Sequence, residues 1–105
     1  MIPTRLEQLK QMLTQEPNDE FLQYAIAIEY FSVNNFEEAL SRFKIILDTM
    51  PDYLAAYYQI GKCYEELKQL DNAKNIYTQG IEIAQKQNKT KTLNELREAL
   101  FLLED

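Results

Sequence analysis

The residue types that carry out most acid–base and metal chemistry in proteins are scarce in this chain. Its 105 residues include no histidine and only one cysteine, Cys63. Ser–His and Cys–His nucleophile pairs, Cys₂His₂ zinc sites and intrachain disulfides all require these residues, so the sequence excludes them. We therefore expect a protein that is not an enzyme and has no metal and no cofactor. Cys63 is predicted to be a buried, unreactive thiol.

One small group of carboxylates is the remaining candidate for a cation site. Glu65, Glu66 and Asp71 lie close together in the sequence. Adjacent residues of a helix do not share a face, so these side chains would not converge on one ion. We interpret the group as a solvated acidic edge.

The charge balance limits the partners that the chain can bind. Asp and Glu number 17 against 11 Lys and Arg, which gives a net charge of −6. Binding to a nucleic-acid backbone needs clustered Lys and Arg that release counterions. The one basic cluster, Lys86, Lys89 and Lys91, is too small for that purpose. We expect no nucleic-acid partner.

The residues best suited to contact a partner are aromatic and apolar. Phe21, Tyr24, Ile28 and Phe31 follow i, i+3, i+7, i+10 spacing and form one stripe of a helix. The same helix carries a second apolar stripe through Ile26, which is expected to face the core. A helix that is apolar on two faces is either buried on both or in contact with a partner. In the first alternative, a helix near the N-terminus covers Phe21 and Phe31.

Helices are the elements that must position these residues. The chain has only two glycines and three prolines, and 46% of its residues are hydrophobic, which is typical of a globular helical domain. No apolar run approaches the ~20 residues that span a bilayer. Charged residues interrupt the N-terminal stretch, which argues against a signal peptide. We expect a cytoplasmic protein with no membrane partner.

The helical pattern repeats with a period of 34 residues. This shift aligns Tyr24 with Tyr58 and Ala39 with Ala73, which are identical pairs. Further identical or conservative pairs at this shift are Ile26/Ile60, Tyr30/Tyr64, Ala27/Gly61, Val33/Leu67, Phe36/Leu70, Glu37/Asp71, Phe43/Tyr77, Leu47/Ile81 and Asp48/Glu82. The period divides a single domain, 1–105, into an N-terminal half-repeat helix (1–19), two units (20–53 and 54–87) and a C-terminal capping helix (88–105).

Polar residues between the stripes predict where the helices begin and end. Asn34 suits the left-handed conformation that ends a helix, and Asn35 suits the N-cap of the next one. Asp52 is predicted to cap the first helix of the second unit. Thr92 is predicted to cap the last helix through a T-x-x-E capping box. The polar stretch 85–92 is predicted to be a loop or a frayed helix end.

A 34-residue helix–turn–helix unit with these residues resembles the tetratricopeptide repeat. That family's pattern has a bulky aromatic, Leu-Gly and Tyr in the first helix, and Ala, an aromatic and Ala in the second, with Pro at the end. The second unit matches it through Tyr57, Ile60, Gly61, Tyr64, Ala73, Tyr77 and Gly80, and the first through Ile26, Ala27, Tyr30, Ala39, Phe43 and Pro51. Departures from the pattern are Gln23 in place of the aromatic, Ile46 in place of Ala, and Lys68 in a turn where Gly or Asn is usual.

The resemblance implies an all-α solenoid of antiparallel helix pairs in a right-handed superhelical array. In this family the first helices of successive units line a concave groove that binds peptide segments, and the domain is not an enzyme. The groove positions carried over to this chain are Phe21, Tyr24, Ile28, Phe31, Tyr58, Gln59, Lys62 and Glu65. The Lys and Asn residues that some members use to clamp a C-terminal carboxylate are missing from these positions, so that mode is not expected.

The last helix offers a second surface. Its leucines suffice to cap the solenoid, and a wide apolar stripe would then remain for a second copy of the chain. The candidate dimer contacts are Leu96, Leu100, Phe101 and Leu103. The sequence therefore predicts a module that binds a protein or peptide partner, with a self-associating structural adaptor that forms a homodimer as the alternative.

Overall fold

The computed structural model describes residues 4–104, and these form six α-helices and no strand. The helices are α1 (Arg5–Gln15), α2 (Glu20–Ser32), α3 (Phe36–Thr49), α4 (Leu54–Glu66), α5 (Leu70–Gln87) and α6 (Thr90–Leu103). Each helix packs against the next one along the chain, in a body measuring 48 × 28 × 21 Å. The predicted all-α helical-repeat fold is confirmed. The predicted domain limits at residues 1 and 105 lie outside the described residues.

The helix starts follow the 34-residue period, with the exception of α6. α2 and α4 begin at Glu20 and Leu54, and α3 and α5 begin at Phe36 and Leu70. Both pairs are therefore 34 residues apart. α5 has 18 residues where α3 has 14, one helical turn more. α6 consequently begins at Thr90, which is 36 residues after the start of α4.

Three residues in left-handed conformation make the tight turns between helices. Asn34 has φ 66°, Lys68 has φ 63° and Asn88 has φ 57°. Asparagine tolerates this conformation because its short side chain can hydrogen-bond locally, whereas lysine is strained there by about 1 kcal/mol. The predictions for Asn34 and Lys68 are confirmed.

The helix N-caps agree with the sequence at one position and differ at another. The Asn35 side chain accepts a hydrogen bond from the Glu38 backbone N–H, as predicted. The prediction for Asp52 is wrong, because the N-cap of α4 is Tyr53, one residue later, and Tyr53 makes no side-chain cap bond. In the first unit the cap is Asp19, whose carboxylate accepts from the Leu22 N–H at 3.0 Å.

Replacing the two aspartates separately should distinguish a capping carboxylate from a neighbouring one. Asp19→Ala is expected to lower the free energy of unfolding by about 1 kcal/mol, because the first turn of α2 loses its acceptor. Asp52→Ala is expected to change it by less than about 0.5 kcal/mol, as for other surface substitutions. Urea denaturation followed by circular dichroism measures both, and equal losses would contradict this assignment.

The start of α6 corrects a second prediction. Thr92 does not cap this helix, which begins at Thr90 with Lys89 at the N-cap and no side-chain cap bond. The stretch 85–92 is mostly helical, because α5 continues through Gln87. The left-handed turn at Asn88 lets the Lys89 N–H donate to the carbonyl of Ala84 at 3.0 Å, which ends α5 abruptly.

Three apolar clusters hold the helices together. One lies between α1 and α2 around Leu9 and Ile26, and the second joins α2, α3 and α4 around Phe43 and Ile60. The third joins α5 and α6 around Tyr77 and Leu96, with α4 residues packed against it. The core therefore continues along the array, and each helix is stabilised by its immediate neighbours.

α4 and α5 approach each other closely at Gly61. A Cβ atom built on Gly61 would overlap the ring of Tyr77, which is fully buried. The hydroxyl of Tyr77 donates a hydrogen bond to the Glu65 carboxylate, so the ring is held at both ends. In the first unit Ala27 takes the position of Gly61 and faces a Phe43 ring in the same cluster.

Candidate functional site

The groove residues of α4 form one connected group. The Nζ of Lys62 lies 5.3 Å from the centroid of the Tyr58 ring and 3.6 Å from Oε2 of Glu65. The Tyr58 ring in turn lies 6.3 Å from the ring of the buried Tyr77. Each of the three groove side chains is half-buried. The charge of Lys62 is thus partly balanced by Glu65, and Glu65 is already engaged by Tyr77.

A cleft of about 150 Å³ opens between α4 and α6. Tyr58 and Lys62 line its α4 side, and Glu95, Glu98 and Leu102 line its α6 side, with Ala99 between the helices. Leu102 is 71% exposed. Half of the lining residues are charged. The apolar surfaces of Tyr58, Ala99 and Leu102 lie beside the carboxylates of Glu95 and Glu98, so the cleft can hold an apolar side chain that lies beside a positive charge.

The sequence analysis missed the α6 residues of this cleft. Ile60 of α4 and Leu96 of α6 are both fully buried and 36 residues apart. With that offset, Gln59, Lys62 and Glu66 of α4 correspond to Glu95, Glu98 and Leu102 of α6. The 34-residue period does not align these pairs, because α5 contains one more turn. The length of the apolar pattern of α5 is the sequence signal that could have revealed the offset.

Tyr24 and Gln59 lie where the two units meet. The Tyr24 ring is half-buried, 5.5 Å from the ring of Phe43 and 5.6 Å from that of Tyr53. Burial raises the pKa of the Tyr24 hydroxyl and nearby Tyr53 adds to this rise, whereas a hydrogen bond with Gln59 lowers it. Tyr24 therefore serves the contact between units and presents only part of its ring to a ligand.

The other predicted α2 residues have different environments. Phe21 is 71% exposed and borders a cavity of about 280 Å³ at the end of α1 and α2. Phe31 is half-buried with its ring 5.0 Å from that of Phe36, and Ile28 packs against the cluster around Phe43. The alternative in which the N-terminal helix covers Phe21 and Phe31 does not hold, because Phe21 is exposed and Phe31 packs on Phe36. α1 packs on Leu22 and Ile26 through Leu9 instead.

The structure also separates the candidate dimer residues. Leu96 is fully buried, and its Cδ1 would lie 3.2 Å from a Cβ on Gly80, so it cannot reach a second copy. Leu100 and Leu103 are half-buried and pack against the same core cluster. Of the four residues, Phe101 is the exposed one, with 74% of its side chain open to solvent. Leu102, which the sequence analysis did not select, lies beside it.

The lone thiol is buried, as predicted. Cys63 is fully inaccessible and belongs to the cluster between α3 and α4. Burial raises the pKa of the Cys63 thiol to about 12, because the thiolate would lose its hydration. The ordinary pKa of a thiol that is exposed to water is 9.0.

These two values give a prediction about pH. The folded state holds the Cys63 proton more tightly, so its contribution to stability is complete below pH 9 and is lost as the pH rises toward 12. The slope from this group is about 1.4 kcal/mol per pH unit. Urea denaturation at about pH 8, 9 and 10 measures how the free energy of unfolding falls as the pH rises. This fall should be smaller for Cys63→Ala than for the wild type. Parallel curves for both proteins would contradict the prediction.

Other kinds of site find no support within residues 4–104. No group of three or more Cys, Asp or Glu side chains there could hold a metal ion. Glu66 and Asp71 are exposed, as expected of a solvated edge, whereas Glu65 is half-buried and accepts a hydrogen bond from Tyr77. No helix in this part of the chain is long and apolar enough to cross a membrane. The cytoplasmic location stays a prediction.

Comparison with known proteins identifies the repeat. The tetratricopeptide repeat family model matches residues 30–93. A tetratricopeptide repeat domain protein from Salinibacter ruber, solved in solution by NMR, is 41% identical; the match covers 84% of this chain and 89% of that one, with a TM-score of 0.79. Its crystal structure is 40% identical; the match covers 81% of this chain and 96% of that one, with a TM-score of 0.75.

A further solved structure shows the same fold at lower identity. A protein from Bordetella parapertussis is 24% identical, with 97% of this chain and 89% of that one covered and a TM-score of 0.89. The curated proteins contain no match. Tetratricopeptide repeat domains are generally non-catalytic modules that mediate protein–protein interaction. The family match over residues 30–93 and the similarity to the Salinibacter ruber domain show that this chain belongs to the tetratricopeptide repeat family.

Proposed function

We propose that this chain is a non-catalytic interaction module that binds a peptide segment of a partner protein along α2, α4 and α6. The observation that carries the proposal is the cleft in which Tyr58 and Leu102 lie beside Glu95 and Glu98. Aromatic side chains in such clefts commonly dominate binding energy, because they bury a large area with little loss of conformational freedom.

The charges of the cleft favour one kind of peptide. Lys62 is 3.6 Å from Glu65, so its charge is partly balanced within α4. Glu95 and Glu98 bring two carboxylates to the cleft, so negative charge exceeds positive charge there, in a chain whose net charge is −6. A segment with an apolar or aromatic anchor next to Lys or Arg complements this surface. The anchor would rest between Tyr58 and Leu102.

Selection from a random peptide library displayed on phage tests the proposal and requires no identified partner. Peptides enriched on the wild-type protein should combine an apolar or aromatic residue with a neighbouring Lys or Arg. A synthetic copy of an enriched peptide, followed by fluorescence anisotropy, should bind at least about tenfold more weakly to Tyr58→Ala and to Glu98→Lys.

Matched variants separate the cleft from general effects. Tyr58→Phe keeps the ring and should bind within about threefold of the wild type. Glu82→Lys makes the same charge change at an exposed position of α5 and should bind within about twofold. Unchanged binding by both Tyr58→Ala and Glu98→Lys would contradict the proposal that the peptide binds in this cleft.

Self-association through α6 remains a second candidate, favoured by the exposure of Phe101 and Leu102. A large exposed apolar side chain such as Phe101, near the end of the last helix, can begin a symmetric contact between copies. Sedimentation velocity over a roughly hundredfold range of concentration should show a dimer in the wild type and a monomer in Phe101→Glu. A wild-type monomer at every concentration rules this candidate out.

A further inference from the structure

Gln23 and Tyr57 occupy equivalent positions of the two units and make the same hydrogen bond. The Tyr57 hydroxyl donates to the carbonyl of Pro51 at 2.6 Å, and Nε2 of Gln23 donates to the carbonyl of Pro17 at 2.9 Å. Both donors and both acceptors are 34 residues apart. Gln23 therefore reproduces the polar contact of the tyrosine but lacks its aromatic ring.

The missing ring corresponds to a cavity. Leu13, Gln23, Arg42 and Ile45 line a space of about 120 Å³ between α1, α2 and α3. The wider cleft beside it, of about 400 Å³, shares Leu13 and Arg42. The smaller space is partly open to solvent and continues into the wider cleft, so a ligand has access to it from outside. None of the lining residues belongs to the groove described above.

Two cationic side chains stand at this cleft. Lys10 and Arg42 line its wider part together with Leu13, Thr14 and Pro17. Both cations lie over the Tyr30 ring, at 5.3 and 5.2 Å from its centroid. Glu38 accepts a hydrogen bond from Nε of Arg42 at 3.0 Å and balances part of that charge. Lys10 adds a second positive charge close to the opening.

We propose that this cavity is a binding site for an aromatic ring that carries a carboxylate. The ring takes the space that an aromatic side chain in the position of Gln23 would fill. The carboxylate faces Lys10 and Arg42, where two cations attract it. Such a ligand is a small aromatic acid or an aromatic residue beside an acidic one in a peptide. The site is separate from the proposed peptide cleft, whose lining residues lie on α4 and α6.

Fluorine NMR tests the proposal with two small probes, 4-fluorophenylacetate and the uncharged 4-fluorobenzyl alcohol. The acid should bind the wild-type protein with a dissociation constant in the millimolar range and at least about threefold more tightly than the alcohol. Gln23→Tyr supplies a ring from the chain itself and should weaken both probes at least about tenfold. Arg42→Gln should weaken only the acid.

Additional variants keep the test decisive if Gln23→Tyr does not fold. Ile45 is 55% exposed, so Ile45→Glu is expected to fold and to repel the acid from the cavity. Ser41→Glu places the same charge at an exposed position of α3 outside the lining and should leave binding unchanged. Absence of binding to the wild type, or equal binding by Ile45→Glu, would overturn the proposal.

The peptide acetyl-Asp-(4-fluoro-Phe)-amide distinguishes the two sources of the ligand. Tighter binding of this peptide than of 4-fluorophenylacetate assigns the site to a protein partner, and weaker binding assigns it to a free aromatic acid. Circular dichroism of every variant establishes that helicity is retained.

Discussion

Gly61→Ala should lower the free energy of unfolding by about 2 kcal/mol, although alanine is the better helix former. The added methyl group would overlap the Tyr77 ring, which is buried and hydrogen-bonded to Glu65. Overpacking of a core typically costs about 1–3 kcal/mol, and we expect a cost near the upper end of that range here. The gain of about 1 kcal/mol in helix propensity offsets only part of this cost.

A double-mutant cycle with Tyr77→Leu isolates the steric cause. Tyr77→Leu alone should also destabilise, by about 2–3 kcal/mol, because it leaves a void beside Gly61. In the double variant the methyl group added by Gly61→Ala enters that void, so the combined loss should be smaller than the sum by at least about 1 kcal/mol. Additive losses, or a Gly61→Ala protein as stable as the wild type, would contradict the proposed close approach.

Leu96→Ala is expected to lower the free energy of unfolding by about 3 kcal/mol. Leu96 is fully buried beside Gly80, and truncation of a buried leucine costs about 2–5 kcal/mol through lost burial and the cavity left behind. For a domain of this size such a loss lowers the melting temperature by more than about 10 °C. Differential scanning calorimetry measures it directly.

Leu102→Ala is the matched control, because it makes the same substitution in the same helix at a residue that is 71% exposed. It should change the free energy of unfolding by less than about 0.5 kcal/mol. Similar losses for the two variants would mean that Leu102 is covered, for example by a second copy of the chain. Dilution would then reduce the effect of Leu102→Ala and leave that of Leu96→Ala unchanged.

Much of the repeat could be predicted from local patterns, whereas the starts of α4 and α6 could not. The Asn34-Asn35 pair predicted both a left-handed turn and an N-cap, because asparagine suits both positions. Asp52 and Thr92 have equally suitable side chains but do not cap their helices. A cap also requires the backbone to enter the helix at that residue, and the turns after Pro51 and at Asn88 set that point.

The candidate site was predicted for α4 and missed for α6. Tyr58 and Lys62 follow from the family's positions within a unit. Glu95, Glu98 and Leu102 join them only through the extra turn of α5 and the packing of Leu96. The cavity at Gln23 also depends on helix packing. The sequence shows that an aromatic residue is missing at this position, but it does not show whether neighbouring helices close the gap.

The sequence by itself determined the class of protein, its helices and its repeat. The periodic spacing of apolar and small residues can be seen in each short stretch of sequence, and it indicates the helices and the repeat. The absence of histidine follows from composition alone. Only the tertiary structure decided which apolar faces remain open. It buries Leu96, exposes Phe21 and Phe101, and leaves an open cavity of about 120 Å³ at Gln23. Exposure depends on how neighbouring helices pack, and helix packing depends on contacts between residues far apart in the chain.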